Sequence, residues 1–129
     1  MILEGLNRSI RVETAQALRE VLAWRDAGGG AHWWLAGEVG AFPALAMTFT
    51  GPVAELHFFA QASHPGFRCV GGEGLPEDGE TLLVYEGCDP GDGIQTPNEF
   101  IIRSEQAADI AAFFLANQAM SDAVAWLEL

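Results

Sequence analysis

Few side chains in this chain of 129 residues are spaced for chemistry. The nearest approach to a metal site is Asp89-Pro90-Gly91-Asp92-Gly93, two carboxylates in a Gly-rich loop. A calcium loop sets oxygen ligands at alternating positions and closes with a bidentate Glu. Here the spacing fails after Asp92, so a solvated turn is the reading and no metal is expected. The imidazoles are His32, His57 and His64, and no two have the H-x-x-x-H spacing that puts two ligands on one helix face. His57, between Leu56 and Phe58, reads as the outward member of a half-buried strand, and His64-Pro65-Gly66 as turn chemistry.

The thiols are equally plain. Cys69 lies beside Phe67 and Val70 in an apolar run, where desolvation raises a thiol pKa and makes it inert. Cys69 and Cys88 are too few and too far apart for a disulfide framework or a four-ligand zinc site. Gly71-Gly72-Glu73-Gly74 lacks the spacing of a dinucleotide fingerprint, and its Glu would repel phosphate. Neither a P-loop nor a G-x-S-x-G elbow occurs. No catalytic residue and no cofactor is therefore expected.

Charge is the stronger signal. Between Arg68 and Arg103 the chain carries eight carboxylates, Glu73, Glu77, Asp78, Glu80, Glu86, Asp89, Asp92 and Glu99, and no basic residue. Eighteen acids face six bases over the whole chain, a formal charge of -12. A surface of one sign repels itself, and attraction to a partner of opposite sign is the usual compensation. Soluble surfaces without such a partner generally mix their signs, although a solvated face maintaining solubility is the plainer alternative. Nucleic acids and anionic membranes draw their affinity from Lys and Arg, so neither is expected as a ligand.

The acidity does not mark disorder. Half of the residues are apolar, with eight Phe and four Trp, enough for a core in one domain spanning residues 1–129. The first fourteen residues interleave Glu4, Asn7, Arg8 and Arg11 with apolar ones, unlike the apolar stretch of a signal peptide. No apolar run approaches the roughly 20 residues that a spanning helix needs. A cytoplasmic protein is the expectation.

The elements that must present this charge follow from periodicity. Thr14 is a good N-cap for a helix over residues 15–26, with Leu18, Val21, Leu22 and Arg25 at helical spacing and Gly28-Gly29-Gly30 to stop it. Short apolar segments punctuated by Gly and Pro then suggest antiparallel strands at residues 32–36, 44–50, 53–60, 67–70, 81–86 and 99–102. Thr50-Gly51-Pro52 joins two of them as a tight hairpin, with Leu56 and Phe58 inward and Glu55 and His57 outward. Ser104 is placed as the cap of a second helix over residues 105–117, buried through Ala107, Ile110, Ala111 and Phe114. The tail, residues 123–129 around Trp126, reads as a last strand. The expected fold is α+β, an antiparallel sheet of about five to seven strands with an N-terminal and a C-terminal helix on one face.

Trp33 and Trp34 are adjacent, so in a strand they point to opposite faces and only one joins the helix-covered core. Trp34 is assigned as the exposed one, an aromatic anchor of the kind that forms binding hot spots.

The C-terminal third, Phe100 through Ser104-Glu105-Gln106, the aromatic pair Phe113-Phe114 and on to Trp126, is a helix followed by a Trp-bearing strand. In this it resembles the immunity proteins of bacterial polymorphic toxin systems, in particular the α+β family often paired with deaminase-type toxins. The likeness extends over about residues 40–129. Where such proteins often carry Thr-Gly and Pro between helix and Trp, this chain has Ala116-Asn117 and Ser121. The resemblance implies a non-enzymatic inhibitor that protects its producer from a cognate toxin, and the acidic block points to a basic protein partner, the toxin's C-terminal domain. Acidic block and resemblance converge on one expectation, a partner-binding surface made of Glu73, Glu77, Asp78, Glu80, Glu86, Asp89, Asp92 and Glu99, with Trp34. Two alternatives stay open at this point. One is a small enzyme or ligand-binding domain with a pocket between sheet and helices using His57, Tyr85 or Glu86; the other is an acidic assembly or chaperone-like adaptor.

Overall fold

The chain begins with two three-residue strands that no apolar run announces, β1 (Ile2–Glu4) and β2 (Ser9–Arg11). Their turn is closed by the Gly5 N–H donating to the Arg8 carbonyl at 2.8 Å. The computed structural model describes residues 1–89 and 91–129. Pro90, in the loop read above for metal ligands, lies outside the described residues.

Helix α1 (Ala15–Leu22) starts as expected, the Thr14 hydroxyl oxygen accepting from the Ala17 N–H at 3.1 Å. It ends four residues earlier than its periodicity suggests. The Arg25 guanidinium donates to the carbonyls of Leu22 (2.6 Å) and Trp24 (2.8 Å), capping the exposed end of the helix. Asp26 then turns the chain, its Oδ1 accepting from the N–H groups of Gly28 (2.9 Å) and Gly30 (3.0 Å).

Three seven-residue strands follow: β3 (Gly30–Ala36), β4 (Ala44–Thr50) and β5 (Val53–Phe59). The β4–β5 hairpin turns through Gly51 and Pro52, with Gly51 at φ +51°, in the left-handed region that glycine adopts at least cost. Next come β6 (Phe67–Val70), β7 (Glu80–Leu83) and β8 (Ile94–Pro97), a 3-10 turn at Asn98–Phe100, β9 (Ile102–Arg103), α2 (Ser104–Asn117) and β10 (Ala125–Glu128).

Eight strands form one antiparallel sheet in the order β10-β6-β5-β4-β3-β1-β2, with β9 pairing β5 beyond the end of β6. The α+β class holds, but the strands exceed the expected five to seven, and two of them precede the first helix. The remaining two, β7 and β8, pair only with each other, in a separate ribbon. That ribbon includes the segment expected as a strand to residue 86, which leaves regular structure after Leu83.

Alternation sets the core. Trp33, Leu35, Leu45, Met47, Phe49, Leu56, Phe58 and Cys69 project from the helix-bearing face and are all buried. From α1 they meet Leu18 and Leu22, and from α2 Ala107, Ile110, Ala111 and Phe114, the i, i+3, i+4, i+7 stripe read from the sequence. Truncating one such Phe to Ala costs about 3–5 kcal/mol. Burial pushes the Cys69 thiol up to about 11, so it packs as a small apolar group. Ser104 does not cap α2: Arg103 holds the cap position without a side-chain bond, and the Ser104 N–H donates to the Pro52 carbonyl at 2.8 Å, pinning the helix start to the β4–β5 hairpin. No helix among the described residues is long and apolar enough to cross a membrane.

Candidate functional site: a cleft between the open sheet face and an acidic ribbon

The opposite face of the sheet carries no helix. Strand register arranges its side chains in rows. Glu4 pairs with Trp34, Trp34 with Ala46, Ala46 with His57 and His57 with Arg68; the next row runs His32, Thr48, Glu55. On one side of these rows stands the β7–β8 ribbon. Between ribbon and sheet lies a cleft of about 480 Å³, bounded by Glu4, Leu6, His32, Trp34, Thr48, Glu55, Arg68, Leu83, Tyr85, Glu86, Ile94 and Thr96. A single layer pair, sheet and helices, was expected; the ribbon adds a partial third layer on the other face.

Backbone bonds hold the ribbon in place. The Thr50 hydroxyl donates to the Val84 carbonyl (3.0 Å) and accepts from the Val84 N–H (2.9 Å). Asp26 Oδ2 accepts from the Gly87 N–H at 3.0 Å, so one carboxylate ties the helix-to-strand turn to the ribbon's end. Those N–H donors, Gly87 first, hold the Asp26 carboxyl below its ordinary pKa. At the other end buried Asn98 is fully engaged: its Oδ1 accepts from the Thr81 hydroxyl (2.6 Å), its Nδ2 donates to the Pro76 carbonyl (2.9 Å) and its N–H to the Gly79 carbonyl (3.0 Å).

Inside the cleft the charges are partly spent on one another. Arg68 Nη2 donates to Glu55 Oε2 at 2.7 Å while its guanidinium stacks 3.9 Å above the Phe100 ring. His57 Nε2 lies 3.4 Å from Glu55 Oε1, without hydrogen-bond geometry. Desolvation lowers the His57 pKa; Glu55 opposes that, and Arg68 and His32 add to it. His32, which shares a 2.9 Å hydrogen bond with the Thr48 hydroxyl, is also lowered by partial enclosure, with Glu86 opposing. Both imidazoles are therefore neutral at neutral pH. Arg8 crosses to the ribbon, stacked over Trp24 (4.0 Å) and Trp33 (4.8 Å), its Nη2 3.4 Å from Glu86 Oε1. Glu86 Oε2 is buried and accepts no hydrogen bond among the described residues, and Glu4 forms no ion pair there.

The eight carboxylates of the acidic block divide into two groups along the ribbon. Glu73, Glu77, Asp78, Glu80 and Glu99 gather at the end clamped by Asn98, all exposed. Glu86, Asp89 and Asp92 lie at the other end, the first half-buried at the cleft wall and the other two exposed. The four residues of each ribbon strand set these groups on the order of 10 Å apart. Trp34 and Trp33 face opposite ways as expected, but Trp34 is half-buried, stacked on Phe59 with ring centroids 5.1 Å apart. It belongs to the cleft wall with Glu86, away from the outer acids.

Glu4, Glu55 and Arg68 carry the cleft and were not singled out from sequence. The Thr48–Glu55 pairing follows from the two-residue Gly51-Pro52 turn, so that much had a local signal. The rows linking Glu4 to Trp34 and His57 to Arg68 join strands whose register no turn sets. The pocket stands on the face away from the helices, whereas the ligand-binding alternative placed it between sheet and helices; Tyr85 and Glu86 line it, and His57 lies in the sheet row beside Arg68. Among the described residues no three His, Cys, Asp or Glu side chains are grouped to hold a metal ion. No protein-family model matches the chain, and no curated protein matches it.

Proposed function

We propose that the protein is a non-enzymatic, cytoplasmic immunity protein that binds a basic toxin domain and blocks it, using the outer face of the β7–β8 ribbon. The observation that carries this reading is the charge of the ribbon region: seven of the eight carboxylates between Arg68 and Arg103 are exposed and no base is interspersed. Toxins acting on nucleic acids need basic clefts, and an acidic ribbon standing off the sheet suits entry into one. The likeness of residues 100–126 to the immunity family supports the same reading. Opposite fields raise association rates toward about 10⁸ M⁻¹s⁻¹ at low salt, which suits capture of a lethal partner.

The test uses the cognate basic domain, identified by its co-purification with this protein. Glu77→Gln, Asp78→Asn, Glu80→Gln and Asp92→Asn together should slow association at least tenfold at low salt and flatten its salt dependence. Unchanged association kinetics with that domain would sink the assignment. A small-ligand site is the second reading, favoured by the cleft with its aromatic and carboxylate lining.

A further inference from the structure

We propose that the open-face cleft is a receptor for an arginine side chain of the protein partner. This rests on the reading of the protein as a binder of a basic domain and names the contact that would anchor it. Its volume, about 480 Å³, falls in the usual range for pockets that enclose a ligand group.

The lining states what is missing. Three carboxylates, Glu4, Glu55 and Glu86, border the cleft against one guanidinium, Arg68. Arg68 is matched by Glu55, and His32 and His57 are neutral at neutral pH. Glu86 already pairs with Arg8 through Oε1, and the buried atoms without partners are of both kinds, Glu86 Oε2 on one side and Arg68 Nε and His57 Nε2 on the other; Glu4 is the carboxylate without an ion pair among the described residues. With Glu55 matched by Arg68 and Glu86 by Arg8, the carboxylate of Glu4 leaves the cleft with negative charge in excess, which favours a ligand that brings N–H groups and positive charge.

Two features select a guanidinium. Trp34 and Tyr85 line the same space, and a planar, weakly hydrated cation packs on aromatic rings while presenting a fork of donors to carboxylates. The protein builds this arrangement twice from its own residues. Arg8 lies over Trp24 and Trp33 and reaches Glu86 Oε1; Arg68 lies over Phe100 and binds Glu55. Glu4, in register with Trp34 and bordering the same cleft as Tyr85, is a carboxylate beside aromatic rings with no arginine of its own. The exposed acids Asp89 and Asp92 stand at the Glu86 end of the ribbon, where their field draws a basic segment toward the mouth.

The experiment is an NMR titration of the isotope-labelled protein with N-acetyl-arginine methylamide, its citrulline counterpart, which has the same shape without the charge, and its lysine counterpart. Saturable shifts at the Trp34 indole N–H and the backbone of His32 and Glu86 are expected for arginine, with affinity at least tenfold above citrulline and measurably above lysine. Glu86→Gln and Trp34→Ala should each weaken arginine binding about tenfold or more, while Glu38→Gln in the exposed loop after β3 leaves it unchanged. A variant counts only if its amide spectrum stays native outside the cleft; Glu4→Gln is the substitute where Glu86→Gln disturbs the Arg8 contact. Equal response to citrulline, equal response to lysine, or shifts on the outer acids without shifts in the cleft would each overturn the proposal. No toxin is needed, so failure here leaves the association test standing, and failure of the association test leaves this titration standing.

Discussion

Replacing Glu55 with Gln removes one charge from the floor of the cleft and leaves Arg68 without its counterion. The pair is close, 2.7 Å, and largely enclosed, with side-chain exposures of 14% for Glu55 and 22% for Arg68. At an effective dielectric near 20 the Coulomb attraction is about 6 kcal/mol, most of which offsets the desolvation of both ions. Breaking a fully buried pair from one side costs about 3–5 kcal/mol. Residual water at Arg68 reduces that here to about 2–3 kcal/mol. With an unfolding entropy of about 2.1 cal/mol/K per residue, the melting temperature should fall by roughly 7–11 °C. The double variant Glu55→Gln/Arg68→Met removes both charges and keeps an apolar group over Phe100, so it should lose only about 1 kcal/mol. Thermal and urea denaturation of the two single variants and the double complete the cycle. A Glu55→Gln loss below about 0.5 kcal/mol, or a double variant as unstable as the two singles added together, would refute the claim that this pair is a coupled, desolvated unit.

Two further outcomes are expected. The Asp26 carboxyl has a folded pKa depressed from 3.8, so its contribution is fully present above that value and is lost as pH falls through the lower folded one; wild-type stability should decline more steeply than that of Asp26→Asn below about pH 4 in denaturation curves. In Gly30→Ala the new Cβ would meet the backbone carbonyl of Val84, and the shift needed to relieve it should cost about 1–3 kcal/mol and speed hydrogen exchange of the Val84 N–H, with the β1–β3 amides little changed.

What could be read in advance was local. Thr14 caps α1, the stripe Ala107, Ile110, Ala111 and Phe114 buries α2, and Gly51-Pro52 turns the β4–β5 hairpin, each through contacts between residues near in sequence. Strands β1 and β2, of three residues each, have no such signature and exist because the edge of β3 offers β1 a partner and β1 in turn offers one to β2. Helix α1 stops early because a side chain three residues beyond it, Arg25, satisfies its carbonyls, a competition that periodicity does not register. Strand β8 looked like loop, since Gly91 and Gly93 precede it and Pro97 ends it after four residues; pairing with β7 decides it. The acidic block was plain in composition, but its division into two groups and the placing of Glu86 against Trp34 needed the sheet register.

The ribbon is attached mainly through backbone groups: Val84 to Thr50, Gly87 to Asp26, and Gly79 and Pro76 to Asn98. Apart from Leu83 and Thr96, its side chains are not buried in the fold. Its outer residues are thus free to drift over generations while the helix-covered core stays under strict packing constraint. Substitutions on this one strip can alter the charge of the surface and keep the contacts that fold the molecule, so the ribbon's outer face and the core can change independently.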